Sequence, residues 1–302
     1  MHIALVGNPN CLKRARGKAL TGLNQKVGNF PGVTVDKKTG LSRISEKLSV
    51  KIIDLPGTYS LYPKRNDEWV SYKVLLDQDP HIKADIIVLV ADASNLKRNL
   101  LFCSQIIDLK MPVVIALTMM DIAKKNNIQV DVAGLERELG VLVIPVNPRK
   151  NKGILELKKA ISQTAENTND ISEREFINME PMASEAIKKV QYIFPEISNY
   201  RAVHYLINHE NFTLNDHHQK AIENIELETK FNSSKTQAEE ILQRYGKIKT
   251  IMKQTVVETD PLQKALFTQK LDDILLHRTW GYVILLAVLF LLFQSVFVIA
   301  QF

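Results

Sequence analysis

The first 165 residues alternate between short, almost continuous apolar runs and longer stretches with apolar residues at helical spacing. The runs predict strands at residues 2–6, 48–54, 85–90, 113–117 and 141–146, and the longer stretches predict helices near 68–77, 96–108, 132–139 and 154–164. Residues 39–50 predict a hairpin partner that runs antiparallel to the second strand. Apolar strands that alternate with helices indicate an α/β fold with a mostly parallel sheet covered on both faces. Such sheets bind ligands at the carboxyl ends of their strands.

The pattern changes after residue 165, where strand-like runs disappear and Glu, Lys, Gln and Asn become common. Apolar residues recur at helical spacing, and residues 166–270 therefore predict a bundle of about five helices. One predicted apolar stripe consists of Ala238, Ile241, Leu242 and Tyr245. We predict three parts: an α/β domain at 1–165, a helical domain at 166–270, and a final segment at 271–302.

The final segment carries no charged residue from Trp280 to Phe302. A helix of about 20 apolar residues spans the ~30 Å core of a bilayer, so this run predicts one transmembrane helix. The alternative is a buried core helix, although core helices are seldom this long without a charge. His277 and Arg278 precede the run, and Trp280 and Tyr282 lie where interfacial aromatic residues would. The positive-inside rule then keeps the preceding residues in the cytoplasm. This span is either a tail anchor or the front of a longer membrane protein.

Composition narrows the class of protein without naming a function. Of the 302 residues, 45% are hydrophobic, which excludes global disorder, and the net charge of +6 fits a solvated surface or proximity to anionic lipid or phosphate. Cys11 and Cys103 cannot build a disulfide framework or a metal site, which favours a reducing compartment. The chain begins with a predicted strand and shows no export signal. His209, His217 and His218 allow a metal site, but surface histidines are the preferred interpretation.

A phosphate-binding loop begins at the end of the first predicted strand but departs from the usual pattern. Residues 7–11 (Gly-Asn-Pro-Asn-Cys) supply its first half, and Lys13 can reach the β- and γ-phosphates of a nucleotide. Leu12 stands where a glycine lets the backbone approach the phosphates, and Arg14 stands where a hydroxyl would bind Mg²⁺. Residues 15–18 also lack the apolar residues that a buried helix needs. This loop therefore predicts weakened nucleotide binding.

Two explanations remain open for residues 12–18. A local reading-frame excursion or a replacement of the segment would explain why seven consecutive residues are unsuitable between two suitable segments. A divergent loop, in which Gly17 and Lys18 serve in place of the usual pair, is the alternative. We favour the first, because Gly17 lies ten residues after Gly7 instead of five.

Two further loops carry residues typical of a nucleotide-dependent switch. Asp54-Leu55-Pro56-Gly57 follows the second strand, and there Asp54 would contact Mg²⁺ through water while the Gly57 N–H binds the γ-phosphate. A plain turn is the alternative. Thr58 follows where many GTPases carry a glutamine that positions water, so hydrolysis is expected to be slow. In the loop at residues 27–34, Thr34 is a candidate ligand of Mg²⁺ and the γ-phosphate.

Specificity for guanine is expected after the fourth predicted strand. Asp121, in Thr118-Met119-Met120-Asp121, would accept hydrogen bonds from N1–H and the exocyclic amine of guanine, a pairing that adenine cannot make. Thr118 replaces the usual asparagine, which lowers the expected affinity for the base. The loop Val146-Asn147-Pro148-Arg149, which follows the last predicted strand, would close over the base with backbone N–H groups.

These loops together define the predicted site. The candidate catalytic residues are Thr34, Asp54 and Gly57, and Thr34 and Asp54 are also the candidate Mg²⁺ ligands. The predicted nucleotide-binding residues are Gly7, Asn8, Pro9, Asn10, Cys11, Lys13, Gly32, Val33, Thr34, Asp54, Leu55, Pro56, Gly57, Thr118, Met119, Met120, Asp121, Val146, Asn147 and Pro148.

The motifs resemble those of the bacterial ferrous iron transporter FeoB family across essentially the whole chain. The resemblance rests on Gly-Asn-Pro-Asn at 7–10, Val-Gly-Asn-Phe-Pro-Gly-Val-Thr at 27–34, Asp-Leu-Pro-Gly-Thr-Tyr-Ser-Leu at 54–61, Asp-Ala-Ser-Asn-Leu-Lys-Arg-Asn-Leu at 92–100 and Asp-Ile-Leu-Leu-His-Arg at 273–278. It implies a Ras-like P-loop GTPase domain, a helical domain that stabilises bound GDP, and a membrane domain of which only the first helix is present.

The same resemblance implies ligands, partners and a location. GTP or GDP, Mg²⁺ and K⁺ are the implied cofactors, with Asn10 as the K⁺ ligand, and Fe²⁺ is the ion that the full-length family transports. The implied location is a bacterial inner membrane with cytoplasmic soluble domains. A homo-oligomer and small accessory Feo proteins are candidate partners, and no nucleic acid is expected.

Three functional hypotheses follow. The first is a GTP-hydrolysing domain that regulates ferrous iron uptake, and the second is a degenerate, membrane-tethered remnant with weak or absent nucleotide binding. The third is a soluble GTPase of ribosome assembly with a fortuitous apolar tail. The pre-membrane string at 273–278 and the lack of a basic RNA-binding appendage argue against the third.

Overall fold

The computed structural model describes residues 1–9, 25–29, 36–45, 48–166, 175–258, 275 and 280–300. The chain divides into two compact units, Met1–Val257 and Glu258–Phe302. The first unit contains a central sheet and most of the described helices.

The sheet of the first unit is mostly parallel, as predicted. The strands up to residue 145 are β1 (His2–Gly7), β2 (Gln25–Asn29), β3 (Asp36–Arg43), β4 (Ser49–Asp54), β5 (Ile86–Asp92), β6 (Val113–Thr118), β7 (Ile128–Val130) and β8 (Val143–Pro145). Seven of them form one sheet in the order β2-β3-β4-β1-β5-β6-β8. Parallel pairs join β4, β1, β5, β6 and β8, whereas β3 runs antiparallel to both β2 and β4. The predicted antiparallel hairpin is therefore confirmed.

Helices cover both faces of this sheet. They are α1 (Asn66–Leu75), α2 (Leu96–Asp108), α3 (Met120–Lys125), α4 (Val132–Leu139) and α5 (Ile154–Glu166). Successive residues of β1 point to opposite faces, so Ala4 and Val6 join one apolar core while Ile3 and Leu5 join the other. This double burial explains why the strands are continuous apolar runs in the sequence.

Residues 175–257 form a helical segment within the same unit. Its helices are α6 (Glu180–Ile193), α7 (Asn199–Asn208), α8 (Asp216–Thr229) and α9 (Ser233–Thr255). The side chains of Ser198, Asn215 and Asn232 cap the N-termini of α7, α8 and α9 by accepting backbone N–H bonds. A short strand, β9 (Val256–Glu258), follows α9 and pairs with β7. Four helices thus lie in this described range, and the expected total of about five stays a prediction.

The buried face of α9 differs from the predicted stripe. Leu242 is 71% exposed and Ala238 is also exposed, so these two positions of the predicted stripe do not face the core, whereas Tyr245 packs against it. The buried residues of α9 are Thr236, Glu240, Arg244, Ile248, Ile251 and Thr255. They recur mostly at four-residue spacing, but two of them are charged, and for this reason a search for apolar periodicity misses the face.

The second unit contains α10 (Trp280–Ala300). Large apolar side chains from Tyr282 to Phe293 are exposed along it. No helix within the described parts of the chain meets the criteria of length and hydropathy for a membrane span. The transmembrane helix therefore stays a prediction.

Candidate functional site

The predicted site loops start at one edge of the sheet. Gly7 ends β1, Asp54 ends β4 and Thr118 ends β6. Strand β1 is parallel to both β4 and β5, and β6 is parallel to β5. The carboxyl ends of β1, β4 and β6 therefore lie at the same edge of the sheet. The structure thus brings together the loop starts that the sequence predicts at this edge.

The 54–57 turn lies directly against the start of the phosphate loop. A Cβ atom added to Gly57 would lie 2.6 Å from the Cα of Pro9 and 3.2 Å from the carbonyl oxygen of Gly7. The Thr58 N–H donates to the same Gly7 carbonyl at 3.1 Å, and the Leu55 N–H donates to Leu5 at 2.9 Å. Only glycine at position 57 permits this approach, and the two loops consequently form one continuous backbone surface.

Gly7 is also required for packing within the sheet. A Cβ atom there would lie 2.4 Å from the carbonyl oxygen of Val90, in the neighbouring strand β5. Asn8 follows with only 3% of its surface exposed. The first residues of the phosphate loop are therefore fixed by their contacts with the sheet.

Side chains around the 54–57 turn hold it from both sides. The Ser71 hydroxyl of α1 donates to the Pro56 carbonyl at 2.6 Å. Thr58 is buried, and its hydroxyl donates to the Ser60 carbonyl at 2.8 Å. The Arg98 guanidinium of α2 lies 3.9 Å from the centre of the Tyr59 ring. The Thr58 hydroxyl is therefore engaged within its own loop.

A small cavity of about 50 Å³ lies where the base-binding loops were predicted. Its lining residues are Thr118, Met119, Asp121, Ile122, Val146, Asn147, Pro148 and Arg149. Asp121 is exposed in the first turn of α3, so its carboxylate is accessible to a ligand. Met120 does not line the cavity and packs against the core instead.

Backbone geometry orients the loop that contains Asp121. Met119 has a φ of 60°, in the left-handed region, immediately before α3 begins. Thr118 is buried, and its hydroxyl donates to the Ala91 carbonyl at 3.0 Å. The hydroxyl thus links β6 to β5.

The other wall of the cavity is the 146–149 loop. The Val146 N–H donates to the Leu117 carbonyl at 2.8 Å, and the Asn147 side chain accepts the Lys150 N–H at 3.2 Å. Gly153 has a φ of +78°, and an added Cβ there would lie 2.1 Å from the Pro145 carbonyl oxygen. The loop therefore folds back tightly beside Asp121.

Sequence reasoning missed two residues of this region. Ile122 lines the cavity, and Gly153 permits the loop to close. Arg149, in the predicted base-binding loop, lines the cavity as well. The Arg-Lys-Asn-Lys-Gly string at 149–153 could have indicated a tight basic loop, whereas nothing in the local pattern marks Ile122.

Several predicted residues lie outside the described part of the chain. These are Asn10, Cys11, Lys13, Gly32, Val33 and Thr34. The altered residues 12–18 also lie outside it, as does the pre-membrane string except for Leu275. The proposed Mg²⁺ ligand Thr34 and the proposed K⁺ ligand Asn10 stay predictions.

His209, His217 and His218 lie in the helical segment. Across the described residues, no group of three or more His, Cys, Asp or Glu side chains could hold a metal ion. His209 is only 5% exposed, so its assignment as a surface histidine is wrong, and its Nδ1 lies 3.5 Å from Glu226 Oε1. The His209 ring is buried at the contact between α8 and the turn after α7.

Comparison with known proteins identifies relatives across the chain. Residues 1–161 match the family model described as ferrous iron transport protein B. The Fe(2+) transporter FeoB of Leptospira biflexa is 35% identical over 317 aligned residues, covering 99% of this chain and 44% of the relative. The chain therefore spans less than half the length of that relative.

Two solved structures share the fold. The cytosolic domain of L. pneumophila FeoB is 34% identical with a TM-score of 0.68, over 85% of this chain and 100% of that one. The cytosolic domain of the T. maritima FeoB iron transporter, in a GDP form, is 28% identical with a TM-score of 0.69, over 85% of this chain and 99% of that one. The motifs, the sheet edge and these matches agree, and the chain belongs to the ferrous iron transport protein B family.

Proposed function

We propose that this chain is the guanine-nucleotide-binding, GTP-hydrolysing part of a ferrous iron transporter and that it regulates Fe²⁺ uptake. The observation that carries the proposal is the convergence of three loops at one sheet edge. There Gly57 lies against Pro9, and Asp121 lines a cavity with the 146–149 loop. A bound nucleotide would lie along this edge, with its phosphates near Gly57 and its base in the cavity beside Asp121.

Base recognition would depend on Asp121. Its exposed carboxylate can accept two hydrogen bonds from guanine, and charge-assisted bonds of this kind are the stronger ones. The 146–149 loop would close over the base. Thr118 contributes less than the usual asparagine would, because its hydroxyl already donates to Ala91.

Phosphate recognition would depend on the 54–57 turn and the start of the phosphate loop. The Gly57 N–H can donate to a γ-phosphate, and Lys13 can neutralise its charge. Asp54, at the end of β4, is a hard oxygen donor suited to Mg²⁺, with Thr34 as the second proposed ligand. Bound Mg²⁺ would neutralise phosphate charge. Because Thr58 is engaged with Ser60, we infer slow hydrolysis unless another group assists.

The remaining assignments follow from family membership and the sequence. We propose a G domain at 1–165, a helical domain at 166–270 that stabilises GDP, and a transmembrane helix in 271–302 of a bacterial inner membrane. Asn10 is the proposed ligand of K⁺. A homo-oligomer and accessory Feo proteins are proposed partners, with Fe²⁺ as the cargo of the whole transporter.

A change of base preference tests the proposal directly. In Asp121→Asn the side-chain amide can donate to the extra carbonyl of xanthine but cannot accept both guanine N–H groups. We expect GDP affinity to fall by about 100-fold and xanthosine diphosphate to become the preferred ligand, as measured by titration with labelled nucleotides.

Asp216→Asn is the matched control, because Asp216 is likewise exposed in the first turn of a helix, α8. It should leave both affinities unchanged. If Asp121→Asn left the preference for GDP intact, the assignment of this cavity to guanine would be wrong.

A second candidate function is a membrane-tethered remnant that binds nucleotide weakly or not at all. Leu12 and Arg14 in the phosphate loop favour it. Restoring the loop with Leu12→Gly and Arg14→Thr, together with apolar residues in 15–18, should produce Mg²⁺-dependent binding of GDP. A native chain that does not saturate at millimolar GDP, beside a repaired chain that does, would support the remnant. A native chain that binds at micromolar concentration or tighter would support the GTPase.

A further inference from the structure

A group of basic side chains lies on both walls of the proposed base cavity, and its charge has no role in the proposed function. We call it the basic rim, and its members are Lys124, Lys125, Arg149, Lys150 and Lys152. All five are exposed, and none of them makes a salt bridge with the residues that the structure describes. Residues 124–130 and 145–155 contain no Asp or Glu, so no carboxylate within either stretch offsets this positive charge.

Helical spacing places one part of the basic rim beside the cavity. Asp121 and Ile122 of α3 line the cavity. Residues three and four positions apart are neighbours on the surface of a helix. Lys124 and Lys125 follow Asp121 at these two spacings, so they extend the same wall by one turn.

The 149–153 loop supplies the other part of the basic rim. Arg149 lines the cavity, and Lys150 and Lys152 follow it in a turn that the Asn147 N–H closes by donating to the Lys152 carbonyl at 2.9 Å. Leu155 comes three residues after Lys152, in the first turn of α5, and is 72% exposed. Exposed leucine combined with Lys and Arg is typical of protein surfaces that bind the headgroup region of a bilayer.

The chain leaves the first unit next to the basic rim. Strand β9 pairs with β7, and β7 begins three residues after Lys125. The N–H of Asp131, just after β7, donates to the Thr255 carbonyl, just before β9, at 2.7 Å. Residues 258–279 then lead to α10, and even a fully extended chain of that length reaches no farther than about 75 Å. A bilayer that held α10 would therefore keep the basic rim at a high effective concentration near its surface.

We propose that the basic rim docks on anionic lipid headgroups of the bilayer that holds α10. This inference rests on the proposed transmembrane helix and not on nucleotide binding. Each Lys or Arg close to an anionic leaflet strengthens the attraction about fivefold, and the attraction falls off within a Debye length. An acidic protein would attract the same charges, but the chain itself would not hold such a protein beside the basic rim. Docking places the base cavity next to the headgroups.

The test compares the full-length chain in two kinds of nanodisc. One contains neutral phosphatidylcholine alone, and the other also contains anionic phosphatidylglycerol. Hydrogen exchange is measured in residues 120–130 and 146–155 of the disc-bound chain. We expect exchange in both segments to be at least about threefold slower in the anionic discs. Raising the salt to about 0.5 M should remove the difference, because it shortens the Debye length.

Charge reversal locates the effect on the surface. Lys124→Glu combined with Lys150→Glu reverses one charge on each wall and leaves Arg149, which lines the cavity, in place. Lys188→Glu combined with Lys220→Glu is the matched control, because these are exposed lysines of α6 and α8 and the net charge changes equally. The rim variant should lose the difference between the discs, and the control should keep it.

The possible contrary results are distinguishable. If exchange is the same in both kinds of disc, or if the rim variant retains the difference, docking on lipid is wrong and an acidic protein becomes the partner that the charge fits. If the control loses the difference as fully as the rim variant does, only total charge matters and the assignment to the basic rim fails. If the chain does not enter the discs, the transmembrane helix fails and this inference with it, whereas the titration of Asp121→Asn in detergent still tests the proposed nucleotide binding.

Discussion

The cavity and a buried cluster of polar side chains between α2, α7 and α9 place carboxylates in opposite environments. We call this second group the Glu240 cluster, and its members are Gln105, Asp108, Tyr200, Glu240 and Arg244. Asp121 is exposed beside the 146–149 loop, whereas Asp108 and Glu240 are buried with Arg244 between them. An exposed carboxylate keeps its acceptor capacity for a ligand, while a buried one must use that capacity on neighbours in the protein. The contrast separates an accessible carboxylate, which we propose for ligand recognition, from buried carboxylates that connect helices α2 and α9.

Local charges determine the state of the buried carboxylates. Burial opposes the charged form of Glu240. The charge of Arg244 and the hydrogen bonds from Tyr62 and Arg244 outweigh this effect and hold the pKa of Glu240 below its ordinary value. Burial raises the pKa of Asp108, an effect that Arg244 and the Phe176 N–H only partly offset. Arg244 is therefore the residue on which the whole cluster depends.

The largest expected effect follows from removing that charge. Arg244→Met leaves Asp108 and Glu240 buried without their cation, so the free energy of unfolding should fall by about 3–5 kcal/mol. Urea unfolding of the full-length chain in mild detergent, followed by tryptophan fluorescence, measures the change. The control Arg137→Met alters an exposed arginine of α4 and should cost less than about 0.5 kcal/mol. A loss below about 1 kcal/mol in Arg244→Met would show that the cluster does not hold these helices together.

A smaller effect is expected from the histidine beside the cluster. Burial lowers the pKa of His204 from 6.5 to about 4, although nearby Glu240 acts in the opposite direction. Its Nδ1 is 3.1 Å from Tyr72 Oη within a cage of three tyrosines. The unfolded chain therefore binds a proton below pH 6.5 that the folded chain does not bind until about pH 4, and stability is lost as the pH falls through this window.

Between pH 7 and pH 5 this one group should remove about 2 kcal/mol of stability. The loss is measured as the difference between the native chain and His204→Phe, each unfolded with urea at both pH values. His204→Gln, which keeps a polar side chain, is a second reference. If the native chain and both variants lost stability equally, His204 would have to be charged or accessible in the folded state.

The sheet was predictable from the sequence because its strands are buried on both faces. Each of the five predicted runs is a strand, and the hairpin at β3 and β4 runs antiparallel as expected. The loops that follow β1, β4 and β6 were predictable as well, because ligand-binding residues in such sheets lie just after the carboxyl ends of the strands. The strands are recognisable because nearly all of their buried positions are apolar.

The Glu240 cluster was not predictable, because its buried positions break that rule. Periodicity assigns Leu242 to the core of α9, yet Leu242 is exposed and Arg244 is fully buried. Arg244 can be buried because it pairs with Glu240, four residues before it, and with Asp108, more than 130 positions away along the chain. Gly153 was missed for a related reason, since the atom that an added Cβ would meet is the Pro145 carbonyl oxygen, which belongs to the preceding strand.

The smallest expected effect is on the stability of Asp121→Asn and completes the contrast with Arg244. Asp121 lies in the first turn of α3, where a negative charge interacts favourably with the helix dipole, but the side chain is exposed and this interaction is screened. The free energy of unfolding without nucleotide should therefore fall by less than about 0.5 kcal/mol, as it should in Asp216→Asn at the start of α8. The same urea titration measures both variants. A loss above about 1.5 kcal/mol in Asp121→Asn alone would mean that this carboxylate stabilises the fold, and its loss of GDP affinity could then no longer be attributed to base recognition.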